Sequence, residues 1–154
     1  MTEPLHRYDW SRLTHLQVGR YAEYFTKMEF TLYGFDVYTA EVDEHGIDFV
    51  IRTTDHRYYD VQVKSLRSLG YIFFPKHHFE PRPNLLAAVV LLLPSHAPEL
   101  YLIPSTRWLE SDGVFVERLY EGLKSRPEWG LNLSKRNLHV LDEFVFDRFV
   151  RQLQ

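Results

Sequence analysis

Val42-Asp43-Glu44-His45-Gly46-Ile47-Asp48 is an acidic stretch kinked at its glycine, and the alternating run Tyr58-Tyr59-Asp60-Val61-Gln62-Val63-Lys64-Ser65 follows it closely. Successive strand residues point to opposite faces. Tyr58, Asp60, Gln62 and Lys64 therefore share one face of the second run, and Tyr59, Val61 and Val63 share the other. Val61 and Val63 are expected to face a core. In a strand over 47–52, Asp48 and Val50 share a face opposite Ile47, Phe49 and Ile51. The cluster Thr53-Thr54-Asp55-His56 predicts a hairpin turn between the two strands. If the strands pair, Asp48 comes within about 5 Å, in Cβ distance, of a residue opposite it.

That pairing puts an acid beside a Gln-x-Lys pair. Asp48 and Gln62 can share one cation, because Mg²⁺ takes oxygen ligands and keeps several waters, leaving room for substrate phosphate. Lys64 lies two residues beyond Gln62, roughly 6.6 Å along the strand at about 3.3 Å per residue. Its ammonium can reach an attacking water or the charge that grows on phosphorus. This is the chemistry of a metal-dependent phosphodiesterase. The plainer reading of the same residues is a solvated strand face whose lysine pairs with an aspartate.

Outward from this pair, Leu16, Val18, Ala22, Phe25 and Met28 predict a helix over 14–32 that stops at Gly34. Glu23 on that helix is i+4 from Gly19, and glycine there leaves room for a close approach. A strand is expected over 35–42 and the alternating strand over 57–65. A short strand follows over 71–74, and Pro75, Pro81 and Pro83 then break the chain around His77 and His78. The stretch 85–93 is apolar at every residue, as in a strand buried on both faces, and 100–103 is expected to pair with it. Ser105 is expected to cap a short helix over 105–110. The stretch 113–133 gives no clear pattern. Leu138, Leu141, Val145, Phe149 and Leu153 predict a closing amphipathic helix. The order implies one α/β domain over 1–154 built on a mixed sheet.

Composition bounds the partners. The chain has 154 residues, 45% hydrophobic and 25% charged, which suits a folded domain with a real core. It has no cysteine, which excludes a disulfide framework and thiolate metal sites and fits a reducing compartment. The stretch 1–10 has no apolar core of leader type, and the longest apolar run falls far short of the ~20 residues of a spanning helix. A cytoplasmic location away from membranes is expected. The net charge of −3 gives no global attraction for nucleic acid, so any such binding must come from a local basic patch.

The residues around the strand pair resemble the PD-(D/E)xK nuclease superfamily. Gly46-Ile47-Asp48 is similar to its first metal acid after a turn, and Gln62-Val63-Lys64 to its (D/E)xK element in a Gln-x-Lys form. Glu23, within Gly19-Arg20-Tyr21-Ala22-Glu23, is similar to the helix acid of its resolvase-like branches. Small homing endonucleases and other prokaryotic members of this length also use Gln-x-Lys. The resemblance covers 14–103. It implies a restriction-endonuclease-like α/β core, with a central mixed β-sheet flanked by helices, and a Mg²⁺-dependent (or Mn²⁺-dependent) DNA endonuclease. Asp48 and Gln62 would hold the metal, Glu23 would assist, and Lys64 would serve the attacking water. Duplex DNA is the implied substrate and a homodimer or larger homo-oligomer the implied assembly. The chain departs from the family in two places: no proline precedes Asp48, and an amide replaces the second acid.

Three further readings follow. Arg67, Lys76 and Arg82 lie close after the site and are candidates to track phosphates. Tyr71, Phe73 and Phe74 are either core or a stacking surface for a splayed base. The alternatives to an endonuclease are a silent nucleic-acid-binding or protein-interaction module on the same fold and, less favoured, a metalloenzyme built on His45, His56 and His77.

Overall fold

The structure is a computed structural model that describes residues 6–154; residues 1–5, part of the stretch read above for a leader, lie outside the described residues. Helix α1 spans His15–Leu32. Thr14 caps it by accepting from the Gln17 N–H at 3.2 Å, while the Gln17 side chain accepts from the Thr14 N–H at 2.9 Å. This reciprocal box satisfies two amide groups that the first turn leaves open. The helix ends at Tyr33, and Gly34 takes φ 87°, a left-handed conformation that favours glycine. Its buried row is Val18, Ala22, Thr26 and Phe30. Leu16 and Met28, expected on the inner face, are 83% and 60% exposed. They belong with Tyr24 and Leu32 to a row two residues out of step, whereas Val18, Ala22 and Phe25 pack inward as expected.

Strands β1 (Asp36–Tyr38), β2 (Phe49–Arg52) and β3 (Tyr58–Leu66) form the expected antiparallel meander. Both β1 and β2 are shorter than the sequence implied. Residues 39–48 form an open acidic loop that joins the sheet only at its end, where the Asp48 N–H bonds Val61 O at 3.0 Å. Strand β5 (Leu85–Leu91) runs parallel to β3, and β6 (Glu99–Pro104) runs antiparallel to β5. The result is a mixed five-stranded sheet in the order β1-β2-β3-β5-β6.

The apolar run of β5 is explained by its two faces. Leu86, Ala88 and Val90 join a core with α1, Phe49, Ile51 and Val61. Leu85, Ala87, Val89 and Leu91 join a second core on the other side. That side is covered by a layer the sequence did not disclose, a three-stranded antiparallel sheet of β4 (Tyr71–Pro75), β7 (Phe115–Arg118) and β8 (Glu128–Asn132), ordered β4-β8-β7. Trp108 fills its centre, fully buried against Phe74, Phe79 and Phe115, with its indole N–H donating to Gly130 O at 2.8 Å.

Two further expectations are corrected. Ser105 does not cap the 3-10 turn at Ser105–Leu109; its hydroxyl bonds the Arg82 backbone, accepting from N–H at 3.0 Å and donating to C=O at 2.9 Å. The closing amphipathic helix is broken into a 3-10 stretch (Leu138–Phe144), a single turn α2 (Phe146–Phe149) and a final 3-10 turn (Val150–Leu153). Leu141 and Phe144 belong to the second core, whereas Phe146, Val150 and Leu153 belong to the first. One straight helix cannot serve both. The chain turns at Val145, extended at φ −52°, ψ 129°, where it bridges Tyr101 on the edge strand β6. No helix among the described residues is long and apolar enough to cross a membrane.

Candidate active site

Gln62 and Lys64 pair across to Ala87 and Val89, both part of the second core. Their face of β3 therefore looks toward the small sheet and not into open solvent. Gln62 is only 5% exposed. Its amide N–H donates to Gly46 O, and its carbonyl Oε1 is buried with no protein hydrogen-bond partner. The Gly46 carbonyl fixes this orientation, because a flipped amide would set two acceptors against each other. Gly46 is required on two grounds. It takes φ 75°, and a Cβ there would lie 2.7 Å from Gln62 Nε2 and 2.9 Å from His78 Cβ. Only glycine lets the acidic loop approach this closely.

Asp48 follows the same turn. Its carboxylate Oδ2 accepts from the Val63 N–H at 2.6 Å, adding a side-chain rung where the β2–β3 backbone pairing ends. Glu23 reaches it from α1 and is itself held by Arg20 at 3.1 Å. The Asp48 carboxyl is pushed up to about 7, first by burial and then by the charges of Glu23 and Asp43, against the lowering effect of the Val63 N–H. Burial pushes the Lys64 ammonium down while Asp48 pulls it back up. The Lys64 Nζ lies 5.7 Å from the centroid of the Phe74 ring, whose face favours a cation. Asp48, Glu23, Gln62 and Lys64 are thus brought to one place. The close approach expected of Gly19 has no such role, since a Cβ there would meet nothing within 4 Å.

These residues fit a small hard cation. A buried amide oxygen without a partner costs about 1–3 kcal/mol, and a metal ion or its bound water would relieve that cost. The Asp48 and Glu23 carboxyl groups, close enough to raise the Asp48 pKa, would supply the charge. Replacing Gln62 with Glu would add a third negative charge but set it against the Gly46 carbonyl. The metal-free variant is expected to lose about 1–3 kcal/mol of stability while Mg²⁺ affinity rises. Calorimetric titration checks this, and unchanged or weaker affinity would mean that Gln62 does not touch the metal.

The other candidates sit differently. Arg67 donates to the carbonyls of Trp10 at 3.2 Å and Leu13 at 2.9 Å, pinning the segment before α1. Lys76 pairs with Glu117 and lies 4.1 Å over the Trp129 ring. Arg82 pairs with Asp60 at 2.6 Å. All three already hold internal partners, so they do not form a free basic track. Among the described residues no three His, Cys, Asp or Glu gather into a metal cluster, so His45, His56 and His77 do not form one. A cavity of about 720 Å³ lies elsewhere, between α1 and the carboxy-terminal segment, with Glu29, Glu99, Asp142 and Asp147 in its lining. Its acidity is unsuited to phosphate. Sequence reasoning missed the Val63 N–H, the Gly46 carbonyl, the Phe74 ring and His78 as parts of the site; the only signal for them was the glycine two residues before Asp48.

No protein-family model matches the chain, and no curated protein matches it. Among solved structures, the bacterial homing endonuclease I-Ssp6803I is 15% identical over 79% of this chain and 78% of its own, with a TM-score of 0.48. Archaeoglobus fulgidus Hjc, a Holliday junction resolvase from an archaeal hyperthermophile, is 18% identical over 86% of this chain and 98% of its own, with a TM-score of 0.51. This chain has the fold of that resolvase, the restriction-endonuclease-like α/β fold.

Proposed function

We propose that this chain is a divalent-metal-dependent endonuclease that hydrolyses DNA phosphodiester bonds, using Mg²⁺ or Mn²⁺, as one domain acting in the cytoplasm. The observation that carries the reading is the buried, partnerless Gln62 Oε1 on the strand that carries Lys64 and whose Val63 N–H holds the Asp48 carboxylate. The fold shared with a Holliday junction resolvase supports it.

Asp48 and Gln62 would hold the metal, with Glu23 as a direct or water-bridged partner. When bound, such an ion lowers the pKa of water and neutralises phosphate charge. Asp48 must be ionised to bind it, and the Val63 N–H keeps its carboxylate in one orientation. Lys64 orients the attacking water and places a positive charge where the pentavalent phosphorus gains negative charge. The Phe74 ring and the buried face of β3 keep bulk solvent from that ammonium. Duplex DNA is the proposed substrate, and a homodimer would present two sites to two strands.

Plasmid and branched DNA incubated with either metal should be nicked by the wild type and left intact by Asp48→Ala. Cleavage that survives the substitution would overturn the site assignment. Absence of cleavage by the wild type, across substrates and salts, would make the chain a silent binding module on the same fold, a reading favoured by the amide at position 62.

A further inference from the structure

The outer face of the small sheet has a chemistry that neither its packing nor the active site uses. On β4, Ile72 and Phe74 point into the core, and Tyr71, Phe73 and Pro75 point out. Phe73 is 46% exposed, high for a large apolar ring at the centre of a strand. Opposite it in register stands Gly130, where any Cβ would collide with the Tyr71 ring. Tyr71 lies across that gap with its hydroxyl donating to Glu128 and the Arg118 guanidinium 4.1 Å over its face. Phe73 stacks beside Tyr71, 6.3 Å between centroids and 22° from parallel. The floor is rigid and aromatic.

A cavity of about 290 Å³ opens next to Phe73, lined by Pro75, His77, Ser125, Arg126 and Glu128. Arg126 has no carboxylate within ion-pair distance among the described residues; instead its Nη1 donates to His77 Nε2 at 3.3 Å. A guanidinium carries five N–H donors, so the one given to the neutral His77 ring leaves the others free for an anion. The patch is also continuous with the active site. The His77 and His78 rings are 4.0 Å apart, His78 packs on Gly46, and the Gly46 carbonyl holds Gln62.

We propose that this face binds one unpaired nucleotide of a DNA substrate, its base stacked on Phe73 and its phosphate held by Arg126. A flat apolar ring beside a guanidinium with no carboxylate partner matches the two halves of a nucleotide, and a paired base inside a duplex cannot reach Phe73. The inference rests on the endonuclease reading for the identity of the ligand. It makes the protein selective for flaps, bulges or branches over uniform duplex.

The test is fluorescence anisotropy in the presence of EDTA, using a labelled duplex with a short single-stranded flap and the same duplex fully paired. The wild type should bind the flap about tenfold more tightly, the effect expected of one stacked base. Phe73→Leu should abolish the preference and Phe73→Trp should keep it. Arg126→Ala should weaken binding and lower the salt dependence by about one phosphate contact. Phe73 and Arg126 are exposed, so these variants should fold, and thermal melts check that they do. Equal affinity for the two duplexes, no binding to either, or a preference that survives Phe73→Leu overturns the inference. Preference without cleavage in Mg²⁺ or Mn²⁺ overturns the endonuclease reading alone.

Discussion

Asp48→Asn is expected to yield a protein that cuts no DNA and is more stable than the wild type above neutral pH. In the folded protein the Asp48 carboxyl is raised from 3.8 to about 7, chiefly by burial and then by Glu23 and Asp43. The folded state therefore holds a proton that the unfolded chain releases near pH 4. Whatever this group contributes is fully present below the unfolded value, is lost as pH rises towards 7, and is absent above it. Above pH 7 the wild type carries a charge that burial penalises by about 2–4 kcal/mol, since a tenfold change in proton affinity is worth about 1.4 kcal/mol. Asparagine retains an oxygen for the Val63 N–H and removes the charge. Its gain should appear in denaturant melts at pH 8 and vanish at pH 4. A difference that does not change with pH would mean that the carboxylate is not strained by its surroundings. The same raised carboxyl predicts proton competition with the metal: Mg²⁺ affinity should fall about tenfold for each pH unit below 7.

Lys64→Met should lower the single-turnover cleavage rate by about 10²–10³-fold, the usual cost of removing one charge aimed at a developing anion. DNA affinity should change only a few-fold, because one ammonium deep in the face of β3 is a small part of a phosphate-binding surface. Methionine keeps the length of the apolar stem against Phe74 while removing a cation that burial disfavours. The variant should therefore fold at least as stably as the wild type, which separates lost chemistry from lost structure. Equal losses in binding and cleavage would reduce Lys64 to a phosphate anchor.

The strand pair was legible because its signals are local. Alternation in 58–65, a turn cluster at 53–56 and a glycine before Asp48 marked two strands and an acid that their pairing would bring near Gln62, though not the register. Helix α1 was legible in extent and only partly in orientation: Val18, Ala22 and Phe25 face the core as expected, but Leu16 and Met28, equally apolar, do not. The second sheet was hidden for a different reason. Phe115, Trp129 and Leu131 are its core residues, but a long polar loop separates β7 from β8, and Gly130 breaks the alternation. The carboxy-terminal segment has helical spacing, yet the two cores it serves lie on opposite sides of the sheet. That Arg67, Lys76 and Arg82 already hold internal partners was not legible, because those partners are distant in sequence. Nothing near Lys76 announces Glu117.

The turn at Val145 has a consequence for how the molecule is made. Strand β6 exposes an edge that Val145 covers by bridging Tyr101, and Phe149 packs against both cores. On the ribosome, Tyr101 emerges well before Val145. During that interval an apolar strand, Leu100 to Ile103, has an open edge and two unfinished cores behind it. Such an edge is a template for pairing with another chain, and partly formed domains are most prone to aggregate at this stage. The segment 138–153 supplies side chains to both faces of the sheet and the bridge to its edge, so the β6 edge and both cores stay incomplete until it has emerged.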